Sequence, residues 1–324
     1  MKRAASLLLA LALLSSGALA AQDEALGLYT PLDEGQQAAL EQAAASAAAE
    51  VLLPDMTDGE KALALHDWLV LSCRYNLTPY QDMAYGALVR HEAICRGYAR
   101  GFAFLAGQAG LPCVYTYSAA LGHAWTLTEL DGSYYGIDPT WDDDHYERIG
   151  FVNHRHCMFS AETGRAQNHY GEDTSVTAGG GPYEAAPWHD AVTRVIFDGP
   201  YMYFIDRSLR LIRCEREGWE CRTLYTISEG WPGFFEDYDG SAAPAAGLEA
   251  IGGRLWLNTP FSVVSLAPDG TDVQTEYSAG GADGYICGIV RRGGKLVCSL
   301  SASMRNAGYE LRTVRLCGKQ PRPA

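Results

Sequence analysis

The hydrophobic period of this chain changes at Gly110-Leu111-Pro112. Before that point apolar residues recur at helical spacing; after it they alternate, so helices come first and antiparallel strands follow. That order indicates an α+β domain. Residues 36–53 are alanine-rich and stop at Pro54, which predicts a packing helix. Thr57-Asp58-Gly59-Glu60 carries the Thr-x-x-Glu pattern of a capping box, and Leu65, Trp68, Leu69 and Cys73 follow on one helical face. A third helix starts at Cys95 and repeats Phe102, Leu105, Ala106 and Ala109 until Gly110 and Pro112 end it. Beyond lie strands at 114–118, 123–130 and 133–138, the last two flanking Asp131-Gly132, a strong two-residue hairpin signal.

That hairpin places chemistry. A two-residue turn sets Leu130 opposite Ser133, Trp125 opposite Asp138 and His123 opposite Thr140. Alternation puts His123 and Trp125 on one face, and cross-strand partners share a face, so Asp138 is a diagonal neighbour of His123 on that face. Cys95 begins a helix, where unsatisfied N–H groups and the positive end of the dipole favour a thiolate. If the helix start meets the His123 face, Cys95 is a nucleophile, His123 a base and Asp138 its orienting group, with the Cys95 N–H as an oxyanion donor. Taken singly, the cysteine reads as a disulfide half, the histidine as structural and the aspartate as a turn residue. On compatible elements the three together favour catalysis.

Cys95-Arg96-Gly97-Tyr98-Ala99, then His123-Ala124-Trp125, then Asp138-Pro139-Thr140-Trp141 resemble the three motifs of the transglutaminase-like superfamily, specifically its secreted bacterial members, with His123 28 residues after Cys95 and Asp138 15 residues after His123. The resemblance covers about residues 57–175 and implies a papain-like fold with the cysteine on a helix and the other two groups on neighbouring strands. It implies acyl transfer through a cysteine thioester and no cofactor. Tyr98, Trp125, Trp141 and Tyr75 are candidates to line a substrate site, each of them also a candidate core or structural residue. Asp142, Asp143 and Asp144 could attract calcium, but an unbroken acidic run lacks the spaced ligands of a dedicated loop and reads as a solvated turn. His156-Cys157 and His169 lack ligand spacing for zinc.

Residues 1–20 read as a signal peptide: Lys2 and Arg3 precede an apolar run from Leu7 to Leu14, and Ala18-Leu19-Ala20 offers a cleavage site. The run is too short to span a membrane, so a secreted or periplasmic protein without stable membrane insertion is expected. The net charge of -14 argues against nucleic acid as a partner. A peptide or protein substrate, the cell envelope included, fits better. The domain reading is 21–56 N-terminal helical segment, 57–175 catalytic domain, 176–187 glycine-rich linker and 188–324 a β-rich domain. In the last, 195–206, 250–258 and 288–300 each set a glycine turn before a short strand, a β-meander that weakly resembles propeller blades; an open sheet or small sandwich is expected.

Nine cysteines in an exported chain predict disulfides with one thiol left over, assigned to Cys95. A turn at Glu217-Gly218 sets Cys214 opposite Cys221, and a four-residue loop at 291–294 sets Cys287 opposite Cys298, so both pairs are expected to be bridged. Cys73, Cys113, Cys157 and Cys317 remain unassigned. The function expected is amide hydrolysis by a cysteine peptidase or amidase, ahead of amine crosslinking. The alternative from another class is a binding or adhesion protein that uses the fold as a scaffold.

Overall fold

The computed structural model describes residues 31–143, 148–174, 176–231, 244–279, 284–292, 295–301 and, for the backbone, 312–316. The expected signal peptide, Asp144 and Cys317 lie outside the described residues. The chain divides into two compact units, one of residues up to Asp143 with Arg155–Ala186, the other of 144–154 with 187–324.

The first unit opens with helix α1 (Glu34–Val51), which Asp33 and Gln36 start with a reciprocal capping box. Leu40, Ala44, Ala47 and Val51 are its buried stripe. Thr57 and Glu60 form the expected box at the start of α2 (Asp58–Ser72), Glu60 N donating to Thr57 Oγ1 and Thr57 N to Glu60 Oε2. Such a cap contributes about 1 kcal/mol. Two short parallel strands follow, β1 (Arg74–Tyr75) and β2 (Glu92–Ala93), and β2 delivers the chain to α3 (Cys95–Gln108). Gly97 lets that delivery happen. A Cβ there would lie 2.2 Å from the Gln81 carbonyl oxygen, so only glycine allows the loop carrying Gln81 to lie against the first turn of the helix.

The sheet is antiparallel in the order β3 (Cys113–Ser118), β4 (His123–Leu130), β5 (Ser133–Ile137), β6 (Cys157–Phe159). Asp131 and Gly132 both take positive φ, 50° and 84°, as a tight hairpin turn requires. The register follows: Leu130 pairs with Ser133 and Thr126 with Ile137. Between β5 and β6 sits one helical turn, α4 (Pro139–Asp142), and after β6 the short α5 (Ala161–Ala166). The glycine-rich stretch read as a linker packs on this unit rather than hanging free. Ala178 and Tyr183 are buried, Tyr183 donates to Asp131, and Glu184 accepts from Ser160 N and Thr163 Oγ1.

Among the described residues the second unit holds three separate antiparallel meanders, β7 to β10 (Ile196–Asp198, Tyr201–Ile205, Arg210–Glu215, Cys221–Thr226), β11 to β14 (Leu248–Ile251, Arg254–Asn258, Ser262–Leu266, Gln274–Ser278) and β15 to β17 (Tyr285–Arg292, Lys295–Ser301, Arg312–Leu316). These are the β-meanders read from the glycine turns. Each sheet has three or four strands, and one apolar cluster, with Tyr203, Leu211, Leu257, Leu266 and Cys287, draws on all three.

Cys214 and Cys221 are directly paired and bridged, as the turn at Glu217-Gly218 requires. Cys287 and Cys298 are not bridged to each other, which corrects the second expectation. The strands run on to Arg292 and Lys295, leaving a two-residue connection instead of four, and this moves Cys298 opposite Ile289. Cys287 then falls in a bulge between the Ile286–Leu300 and Ile289–Cys298 pairs, where Gly288 takes φ 112°.

Candidate active site

Asp138 follows β5 and caps α4, and all of its carboxylate is used. Oδ1 accepts from the backbone N–H of Thr140 at 3.0 Å and of Trp141 at 3.4 Å. Oδ2 accepts from His123 Nε2 at 2.6 Å and from His169 Nε2 at 2.9 Å. The Asp138 N–H donates to the His156 carbonyl, which fixes the backbone below the side chain. Burial alone would raise this carboxyl, but the charge of His123 and the hydrogen bonds of both histidines hold it well below the ordinary carboxylate range.

His123 is the first residue of β4, and its ring is stacked against Trp141, with centroids 4.6 Å apart and planes 14° apart. Trp125, two residues on and on the same face, stands 5.9 Å away. Burial would lower the imidazole; the Asp138 charge and hydrogen bond, with a smaller contribution from Cys95, raise it to about 10. Since Nε2 is turned to Asp138, Nδ1 is the nitrogen available to the thiol.

Cys95 is the first residue of α3, buried, and a free thiol. Its helix face meets the sheet: Cys95 and Ala99, one turn apart, pack with Tyr115 and Ala124, the latter adjacent to His123. Ile94, at the cap position of α3, gives no side-chain hydrogen bond to the first turn. Asp138 thus lies beside His123, as the hairpin register indicated, and Cys95 packs against Ala124, the neighbour of His123.

The four expected lining residues divide. Trp141 covers the imidazole and is half-buried, and Tyr75 is 55% exposed, stacked 6.4 Å from Tyr98. Tyr98 and Trp125 are fully buried, at 0% and 1%. Tyr98 donates its hydroxyl to Asp143, and Trp125 backs the histidines, so both are also held as core residues. The acidic turn is corrected. Asp142 is fully buried, accepts from His156 N at 3.0 Å and lies 3.2 Å from His66 Nε2. Burial would lower His66, yet Asp142 and Asp67 raise it to about 9, so this histidine is charged at neutral pH and balances the acids.

His169 is the residue the sequence did not assign here. It stands 31 residues after Asp138 in no motif, and only the path through β6 and α5 brings it back. Within this unit, the described ligand atoms of His123, Asp138 and His169 lie within 4.8 Å of one another, near enough to hold a cation. Two hydrogen bonds account for the same atoms. Cys157, buried with its thiol pushed well above the ordinary range, and His156 are not in that set.

Residues 45–139, which include Cys95, His123 and Asp138, match the family model of the transglutaminase-like superfamily. No curated protein matches the chain. Among solved structures the chain is similar to a TGase (13% identity, 49% of this chain and 42% of that one, TM-score 0.30). It is also similar to a candidate cysteine protease from Cytophaga hutchinsonii (21% identity, 34% and 43%, TM-score 0.27). A third is the arylamine N-acetyltransferase NAT3 of Bacillus cereus, which has a Cys-His-Glu triad (12% identity, 73% and 92%, TM-score 0.26). The chain spans 42% and 43% of the length of the first two.

Proposed function

We propose that the protein is an exported cysteine enzyme that cleaves peptide or protein amides through a thioester on Cys95. The observation that carries the reading is the His123 imidazole, fixed by Asp138 through Nε2 and turned to the Cys95 thiol at an uncapped helix start. With the Cys95 proton held on His123 as an ion pair, the Cys95 Sγ thiolate attacks the amide carbonyl carbon, and the Cys95 N–H donates to the developing oxyanion. The C–N bond breaks as His123 returns the proton to the leaving amine. Water, deprotonated by His123, then splits the thioester.

Hydrolysis is preferred to lysine crosslinking on the state of the nearby acids. Asp82 is paired with Arg96 at 2.9 Å, Asp143 accepts from Tyr98, and Asp138 is saturated by four donors. Each is engaged by a residue of the same chain, and a lysine ammonium would have to displace that partner. The Cys214–Cys221 bridge supports export, since such bonds persist in oxidising compartments. Among the described residues no helix is long and apolar enough to cross a membrane. A panel of peptide amides, incubated with and without a primary amine and read by mass spectrometry, tests the reading. Acid products in both arms support it, amine adducts as the main product would make the protein a crosslinking enzyme, and absence of turnover on the whole panel would favour the scaffold alternative.

A further inference from the structure

The ring of His169 is buried and makes one hydrogen bond, from Nε2 to Asp138 Oδ2; its Nδ1 has no partner. Aromatic rings pack around it, Trp141 at 4.3 Å, Phe159 at 4.5 Å and Trp125 at 5.0 Å between centroids. If the position served packing alone, an apolar ring would fill it without burying an unpaired nitrogen, which costs free energy. A nitrogen is needed only by the carboxylate. We infer that His169 is a positioning residue of the triad, a second donor that holds Asp138 Oδ2 so that the carboxylate stays aimed at the imidazole. The inference rests on the cysteine-enzyme reading above and deepens it.

With Cys95 ionised and His123 charged, the negative charge that keeps the imidazolium in place is that of the fully buried Asp138. A buried anion is tolerated in proportion to its donors. Taking away one of two donors from Oδ2 leaves that oxygen a direction with nothing to accept from, makes the anion less stable, and lets the side chain turn away from His123. The other titratable groups facing this set are Cys95 from α3, His156, whose ring lies 5.3 Å from His169, and Asp142 of α4, which His156 N and His66 already engage.

Two substitutions separate holding from filling. His169→Gln can place an amide N–H where Nε2 stands, and His169→Leu fills the volume without a donor. The probe is iodoacetamide on the full chain, with the rate of Cys95 alkylation followed by mass spectrometry across pH and the His123 ring followed by NMR. His169→Leu is expected to slow Cys95 alkylation at neutral pH by about tenfold, in line with the loss of an outer partner of an active group. It should also move the alkylation profile towards higher pH and lower the pH at which His123 titrates, whereas His169→Gln stays within about twofold of wild type. A folded Leu variant with the wild-type rate and profile, or equal losses in Leu and Gln, overturns the inference. Should Leu not fold, His169→Phe occupies the aromatic pocket without a donor and is read by the same criteria. If wild-type Cys95 itself reacts no faster than an ordinary thiol, the enzyme reading has failed; if it reacts fast and Leu changes nothing, only the role of His169 has.

Discussion

His123 Nε2 lies 2.6 Å from Asp138 Oδ2, although the ladder between their strands ends at the Thr126–Ile137 pair and neither residue is part of it. The contact is made past the end of the pairing, where Asp138 has already become the cap of α4. The same carboxylate thus follows a strand, caps a helix and accepts from the imidazole.

Replacing Cys95 or His123 by alanine should abolish amide turnover, by about 10³-fold or more, because nucleophile and base act as one unit. Asp138→Ala should lose about 10³-fold with a measurable remainder, since the carboxylate orients the imidazole without reacting. Initial rates on any amide the wild type cleaves, paired with thermal melts to confirm folding, check this.

His123 is expected to keep its proton into alkaline solution, titrating at about 10. Its folded value is raised above the ordinary 6.5, so the stability contributed by its pair with Asp138 is complete below 6.5 and is lost as pH rises through about 10. In Asp138→Asn the partner charge is gone and burial dominates, so the ring should titrate below 6.5 and urea midpoints should lose this alkaline decline. NMR titration of both proteins reads the shift directly.

Gly97→Ala should destabilise the first unit by about 1–3 kcal/mol, the usual cost of overpacking. The new methyl would sit 2.2 Å from the Gln81 oxygen and 2.7 Å from Ala93 Cβ, and what must yield is the first turn of α3, which carries Cys95. Denaturant melts give the stability, and a fall in Cys95 alkylation rate in the folded variant gives the displacement.

Non-reducing peptide mapping should find Cys214 joined to Cys221 and no peptide joining Cys287 to Cys298. With a sequence separation of 7, removal of the bridge by a Cys214→Ala, Cys221→Ala double variant should cost at most about 2.5 kcal/mol on the chain-entropy argument.

The capping box at Thr57, the helix starting at Cys95 and the Asp131-Gly132 hairpin were legible because each is a local rule: a cap, a dipole, a turn with positive φ. Parity along the hairpin then placed His123 beside Asp138. What failed was non-local or depended on loop length. His169 reaches Asp138 only through tertiary folding, Asp142 looked solvated because its neighbours in sequence are acidic while its neighbours in space are His66 and the His156 N–H. Tyr98 and Trp125 hold motif positions adjacent to the catalytic ones, and helix and strand geometry turn them inward. The Cys287 error came from reading four loop residues where the strands leave two, a slip that moves every partner along the ladder.

Acyl transfer to Cys95 is the central claim, and p-nitrophenyl acetate tests it without knowledge of the natural substrate. Burial pushes the Cys73 and Cys287 thiols up to about 12 and that of Cys113 up to about 11, so these should compete poorly as thiolates. The account predicts a burst of nitrophenolate equal to the enzyme present, with one hydroxylamine-labile acetyl group mapped to Cys95, and no burst in Cys95→Ala or His123→Ala. A wild-type protein that shows no burst, or that carries the acetyl group on another residue, would contradict it.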